Sequence, residues 1–366
     1  MTAEFMQTAY SSAALFQKDF SRVKPMKKLC SLCLLFPLAF ASLSCYHPSE
    51  KESLPHTSPS EGEPIVLETY DGYGYQGAML VQEFDKSPER IVAVSEATID
   101  NLLLLGLQDK IVGISHLYFS VHPPYDEIYE RLPKLTEGPV YPSREAILLA
   151  APDIIIGWGS LFNTDALGSV QEWHKKGVHT YVMKNTVPTR AIGKRKVEYF
   201  LEDLRNLSRI FRIQTYADPL IEGLSQRIDT VKERAAQIPE DQKPTILTLQ
   251  YINDNEYFAR NATDMTTDII ELAGGRSLDG KYGGNQSLEN LIQSNPDIIL
   301  IVNMPESPAT KKIDLLRHNP ALRHVKAIQN DNFAEIDHMA FYCGSTRTLD
   351  AIEQLHAKVM EYCSED

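Results

Sequence analysis

At 366 residues the chain is longer than one small core requires and suits two domains of ordinary size. Its 43% hydrophobic and 23% charged content is that of a globular protein. A net charge of −13 argues against nucleic acid as a partner, since that role needs a basic face.

In chain order, residues 1–25 read as an upstream extension, because Met26 makes the better start. Met26-Lys27-Lys28 runs into the apolar stretch Leu29 to Leu43 and then Ser44-Cys45, the parts of a secretory signal over 26–44. The apolar stretch is too short and wrongly flanked for a stable membrane span. Cys45 follows small residues, as a bacterial lipoprotein acceptor does, although Ser42 and Leu43 depart from the usual order. The expectation is a periplasmic protein held to the cell-envelope membrane by a lipid on Cys45. The CxxC spacing of Cys30 and Cys33 falls inside this leader and is neither a redox nor a zinc motif. Cys343 and Cys363 flank a predicted helix, which argues against a disulfide between them. Residues 45–64, rich in Pro, Ser and Glu, form a tether that buries nothing.

Ordered structure is expected from Ile65, with a hairpin of Ile65–Glu68 and Met79–Val81 around a glycine-rich turn. That turn, Gly72-Tyr73-Gly74-Tyr75-Gln76-Gly77, spells GxGxxG. A dinucleotide site needs a helix to open at the third glycine, and here a strand follows, so the cofactor reading fails. Buried strands at Arg90–Val94, Ile111–Ile114, Asp153–Ile156 and His179–Val182 alternate with helices at Thr98–Leu105 and Ile147–Ala151, as in a parallel, doubly wound sheet. Ile192 to about Ile238 reads as helix almost throughout, with Leu220, Leu224, Ile228, Val231 and Ala235 as its apolar stripe. The alternation resumes at Thr245–Leu249, Thr266–Ala273, Asp297–Val302 and Phe333–Ile336, and a last helix starts at Thr346. The fold class is therefore α/β: two Rossmann-like lobes with parallel sheets (65–190 and 243–366) joined by a single long backbone helix within a helical segment, 191–242.

An internal repeat supports two lobes of one design. Ser143-Arg144-Glu145 through Pro152-Asp153-Ile154-Ile155-Ile156 aligns without gaps on Ser287-Leu288-Glu289 through Pro296-Asp297-Ile298-Ile299-Leu300. Each copy is Ser-x-Glu, a short helix, Pro-Asp and a buried strand. Serine as N-cap and glutamate in the first turn have an ordinary helical explanation.

In open α/β lobes ligands sit beyond the carboxyl ends of strands. This places Glu96, His116, Tyr118, Tyr141, Trp158, Tyr251, Phe258, Arg260, Tyr282 and Tyr342 as candidate ligand-binding residues, the aromatics for stacking and Arg260 for anionic groups. His116 and His338 are potential iron ligands, each with a loop hydrogen-bonding role as the plainer reading. No HxH or HExxH cluster suggests a bare-metal site.

Pro88-Glu89-Arg90-Ile91-Val92-Ala93-Val94, then Leu105-Gly106-Leu107-Gln108-Asp109-Lys110-Ile111-Val112-Gly113, then Glu145 with Pro152-Asp153-Ile154-Ile155, resemble the iron-siderophore and cobalamin class of ABC substrate-binding proteins of the helical-backbone type. The resemblance covers about residues 65 to 360. It implies a monomeric, non-enzymatic binding protein without intrinsic cofactor, which captures an iron-siderophore or haem and delivers it to an ABC permease and its ATPase. A cobalamin ligand, or a stand-alone haem-scavenging lipoprotein, is the alternative. It implies further that Glu145 and Glu289 dock on permease arginines, and that Arg347, also a candidate ligand-binding residue, matches a family arginine before the last helix. The chain has no GxxxxGK[ST] loop, so transport energy would come from the partner. An enzymatic rival would need a cofactor motif or a cysteine cluster.

Overall fold

Burial alternates along Ile65–Tyr70 (β1), and this strand pairs antiparallel with Met79–Phe84 (β2), as the hairpin reading requires. The computed structural model describes residues 63–73, 76–117, 125–138 and 140–365. The expected signal and Cys45, with nearly all of the tether, lie outside the described residues, as does Tyr118. Among the described residues no helix is long and apolar enough to cross a membrane.

The turn after β1 has a structural use. Gly72 has φ 68°, and a Cβ there would lie 2.5 Å from the Gly159 carbonyl oxygen, which also accepts from Tyr73 N at 3.0 Å. The hairpin thus docks against the loop that carries Trp158. Gly138 has the same backbone twist, φ 69°, but among the described residues a Cβ there would meet nothing within 4 Å. Gly72→Ala is expected to cost about 1–3 kcal/mol more than Gly138→Ala, since both share the φ strain and only one adds a backbone clash. Urea unfolding that ranked the two alike would remove the close-approach argument.

The first lobe holds Ile91–Val94 (β3), Ile111–Ser115 (β4), Ile154–Gly157 (β5) and His179–Val182 (β6), all parallel, in the order β4-β3-β5-β6. The second holds Thr245–Ile252 (β7), Glu256–Ala259 (β8), Arg276–Ser277 (β9), Gly284–Ser287 (β10), Ile298–Asn303 (β11) and Phe333–Asp337 (β12). Here the expectation of a purely parallel sheet needs correction. β11 runs parallel to β7 and β12, but β8 and β10 are antiparallel additions at one edge. The reversal is made by Asn253, whose side-chain oxygen accepts from Asn255 N at 2.9 Å and Glu256 N at 3.0 Å.

The helices that position the site are Glu96–Leu104 (α1), Arg144–Ala150 (α2), Glu198–Ile210 (α3), Gln214–Ala235 (α4), Met265–Leu272 (α5), Leu288–Ser294 (α6) and Thr346–Glu365 (α7). Because side chains alternate along a strand, each sheet buries two faces. Ile91, Ala93, Ile154 and Ile156 share one continuous core with Ile246, Ile298, Leu300 and Val302 of the other lobe and with α3, α4 and α7. The opposite faces, Val92, Val94 and Ile155 in one lobe and Leu247, Leu249, Ile299 and Ile301 in the other, pack under local cover.

The helical segment read from Ile192 to about Ile238 is not one continuous helix. It breaks between α3 and α4 at Arg212, φ 56°. Arg212 N donates to Arg209 O and Ile213 N to Ser208 O, the paired bonds of a left-handed helix stop. Glycine usually fills that position, so the sequence carries no stop signal there. Arg212 is held instead by donating to Glu63 O at 2.7 Å and Asp85 O at 3.1 Å. The strut proper is α4, 22 residues and about 33 Å long at ~1.5 Å per residue. Ala217, Ile221, Leu224, Val231 and Ala235 form its buried stripe.

The repeated motif has one geometry in both lobes. α2 and α6 each end in a left-handed residue, Ala151 (φ 47°) and Asn295 (φ 41°). The aspartate two residues later then ties down a neighbouring strand. Asp153 accepts from Glu89 N at 2.8 Å and Arg90 N at 2.9 Å, and Asp297 accepts from Thr245 N at 2.9 Å. Ser143 caps α2 by accepting from Ala146 N, whereas Ser287 makes no such bond.

Candidate ligand-binding site

The first lobe brings its contributions to the carboxyl ends of β3, β4 and β5. Ser95, directly after β3, has φ 85°, and His116, directly after β4, has φ 61°. Both are fully enclosed, and non-glycine residues in this region cost on the order of 1–3 kcal/mol each, so the fold holds two strained residues side by side. Ser95 N donates to the carbonyl of Ser115, the residue before His116, at 3.0 Å. His116 stacks on Tyr141 with ring centroids 4.2 Å apart and meets Trp158 edge-on at 5.3 Å. The Tyr141 hydroxyl is fixed by Ser160 Oγ at 2.7 Å.

The second lobe answers with the segment after β12. Asp337 accepts from Met339 N at 2.7 Å and so opens the short 3-10 turn His338–Phe341. Tyr342 follows, and its ring stacks on Trp158 at 5.2 Å with only 12° between planes. Tyr342 also meets His338 edge-on at 4.5 Å and Phe341 at 5.3 Å. Among the described residues six rings therefore form one unbroken series from Tyr141 to Phe341, crossing between lobes at Trp158 and Tyr342.

Arg260, just beyond β8, lies 5.0 Å over the Phe341 ring and 5.5 Å over Tyr342. Its Nη1 donates to Gln250 Oε1 at 2.7 Å and its Nη2 pairs with Asp264 at 3.0 Å. Its buried Nε meets no acceptor among the described residues. Burial, with the positive charges of Arg260 and Lys312 nearby, brings the His338 imidazole down to about 3, so it is neutral in any ordinary buffer. Lys312 Nζ is itself buried and donates to Val302 O at 2.5 Å and Ser307 O at 2.6 Å.

The remaining candidates divide. Glu96 is enclosed at the start of α1, its carbonyl accepting from the Tyr129 hydroxyl at 3.1 Å. Tyr251 and Phe258 oppose each other on β7 and β8, beside Arg260, and neither makes a ring contact with the series among the described residues. Tyr282 packs inside the second lobe's own core with Tyr257 and Leu288, because α-helical Asp279–Tyr282 turns it inward. Arg347 is committed elsewhere: its Nε donates to Asp100 Oδ2 at 2.9 Å and its Nη1 lies 3.4 Å from Asp337. Asp100 belongs to α1, so this buried pair bridges the lobes. Asn101 Nδ2 to Gly344 O (2.9 Å) and Asn185 Nδ2 to Cys343 O (3.1 Å) bridge them too. Cys343 is a buried free thiol.

Sequence reading missed Asp100, Gln250, Asp264 and Lys312. Asp100 did leave a signal, a second carboxylate one turn after Glu96 on a helix that is otherwise largely apolar and enclosed. A surface cavity of about 440 Å³ lined by residues that include Asn253, Lys311, Asp314 and His318 shares no residue with the aromatic series, and its wide opening to solvent makes it the poorer ligand site. Among the described residues no three His, Cys, Asp or Glu side chains converge on a metal position.

The family model described as periplasmic binding protein matches residues 91–340. The chain belongs to the periplasmic binding protein family. It is a substrate-binding protein of the ABC transporter class, not an enzyme. A Bacillus subtilis relative, the uncharacterized ABC transporter substrate-binding lipoprotein YvrC, is 17% identical over 90% of this chain and 96% of that protein. The structure of an ABC-type Fe3+-hydroxamate transport system from Saccharomonospora viridis superposes with a TM-score of 0.62 at 18% identity, covering 76% of this chain and 96% of that one. The periplasmic heme-binding protein RhuT from Roseiflexus superposes with a TM-score of 0.60 at 19% identity, covering 75% and 99%. Both show the two-lobed fold of this family of proteins.

Proposed function

We propose that this periplasmic binding protein captures an iron chelate at the junction of its lobes and hands it to an ABC permease. The observation that carries the reading is the six-ring series, which offers flat faces from both lobes and ends under the Arg260 guanidinium. A planar macrocycle replaces the Trp158–Tyr342 stack with two ring–ligand stacks, so little is lost on opening. Imidazole nitrogens and tyrosine oxygens within the series are donor types that suit iron. The spare Arg260 Nε supplies a charge-assisted bond to a ligand carboxylate. These features favour haem over a non-planar siderophore, and the names of the Saccharomonospora and Roseiflexus proteins fall in the same iron-chelate class. Glu145 and Glu289, exposed in the first turns of α2 and α6, are the docking carboxylates, and Cys45 carries the lipid.

The test is titration of the purified protein with haem, a ferric hydroxamate and cobalamin. Trp158 and Trp173 are the chain's two tryptophans, and Trp173 is buried in the first lobe with its Nε1 donating to Leu167 O. Haem is expected to quench fluorescence and shift its Soret band, with most quenching lost in Trp158→Phe. Response to the hydroxamate alone would overturn haem and keep the chelate class. No response to all three would overturn the class.

A further inference from the structure

We propose that Leu148 and Leu149 beside Glu145, and Ile292 beside Glu289, are the apolar halves of two docking contacts, each received by a basic socket with an apolar rim on the permease. This rests on the delivery reading above and specifies the partner surface it needs.

α2 and α6 are both seven residues long, and Ile147 and Leu291 at equivalent positions are driven fully into their lobes, with Leu288 buried as well at the start of α6. That anchor fixes what points outward. At ~100° per residue, the glutamate two positions before it and the residue one position after it project only about 60° apart. The outward pair is Glu145 with Leu148 in one lobe and Glu289 with Ile292 in the other. Leu148 is 50% exposed, Leu149 87% and Ile292 41%, three of the large apolar side chains the fold leaves uncovered. A single exposed leucine is unremarkable. Here the same acid-plus-aliphatic pair recurs on both lobes.

The helices are also held as rigid mounts. Left-handed Ala151 and Asn295 end them, and Arg90 donates to Ala150 O and Ala151 O at 2.7 Å each. α2 begins three residues after Tyr141 of the aromatic series, whereas α6 opens at the end of β10 away from Arg260, where Ser287 faces Glu256 of β8. Two like mounts suit a partner built from two related halves, as a membrane permease is when it surrounds a central path. The contacts are unequal: Leu149 aligns with Gln293, so the first lobe brings the larger apolar area.

The experiment measures binding of the full protein to nanodiscs carrying the permease–ATPase complex from the same cell. Leu148→Ser with Leu149→Ser, Ile292→Ser, and Glu145→Gln with Glu289→Gln are compared with wild type, and thermal melts confirm that each variant folds. Each serine replacement is expected to weaken binding about tenfold, the equivalent of ~1.4 kcal/mol from partial burial, with the salt dependence unchanged. The glutamine pair is expected to flatten that salt dependence. Leu149→Met, which keeps apolar area, should bind as wild type does. Serine variants of wild-type affinity alongside weakened glutamine variants would overturn the apolar anchors and leave delivery standing. Wild-type protein that fails to bind the complex would overturn delivery itself.

Discussion

Arg347→Ala is expected to lower stability by about 3–5 kcal/mol, because it strands a buried carboxylate rather than merely removing a bond. The Arg347 and Asp100 side chains are 5% and 4% exposed, so neither charge is repaid by water once the other is gone. The Tyr129 hydroxyl, 2.9 Å from Asp100 Oδ1 and 3.1 Å from Glu96 O, has one proton to share between them. At roughly 2–4 °C per kcal/mol for a fold of this size, the melting midpoint should fall on the order of 10 °C. Asp100→Ala should cost a similar amount. Joint replacement as Asp100→Leu with Arg347→Met should recover most of the loss, since a well-filled apolar pair is often as stable as a buried ion pair. Calorimetry decides the matter. Because the pair spans the lobes, single variants should also broaden or split a transition that the shared core makes cooperative in wild type. A double variant no more stable than either single would show that geometry, not stranded charge, sets the penalty.

The fold is legible wherever burial alone dictates it. The strand His179–Val182 and the start of the last helix at Thr346 fall where the apolar pattern puts them, and the other predicted strands agree within a few residues. Burial on both faces leaves such strands no polar alternative. Misreadings come where backbone conformation, not hydrophobicity, decides. Arg212 stops a helix in the left-handed region without glycine, and its reason is long-range: carbonyls of residues 63 and 85 receive its side chain. β10, Gly284-Asn285-Gln286-Ser287, has no apolar residue and exists because β8 offers it an edge. At the site, position at a strand end identifies residues, and the sequence cannot say which of them meet. Tyr251, Phe258 and Tyr282 have the same chemistry as Tyr141 and Tyr342; register and helix phase separate them. Arg347 stands out as an arginine, but only the fold reveals that Asp100 is its partner.

His338→Phe is expected to flatten the acid limb of the stability curve. The imidazole is held near 3 in the fold against about 6.5 when the chain is unfolded, so the unfolded state binds the extra proton between those values. Protons are then taken up on unfolding, and wild-type stability falls as pH drops from about 6.5 towards 3. Above about 6.5 the residue contributes no slope. The causes rank as burial first, then the Arg260 guanidinium, then the Lys312 ammonium, each opposing a second positive charge. The acidic groups near by do not reverse this. Asp337 adjoins Arg347, and Asp264 is shared by Arg260 and Arg195 at 3.0 Å each. The shift corresponds to several kcal/mol across the window at ~1.4 kcal/mol per unit, as an upper figure. Phenylalanine keeps the ring contacts with Phe341 and Tyr342 while deleting the titration. Urea midpoints taken from pH 7 to pH 4 should therefore fall less steeply for the variant than for wild type. Parallel curves would place the acid sensitivity in other groups. Lys312→Met provides the complementary measurement. With one of the two cations removed, His338 should titrate closer to neutrality in the fold, so the pH window over which stability is lost should narrow from its acid end.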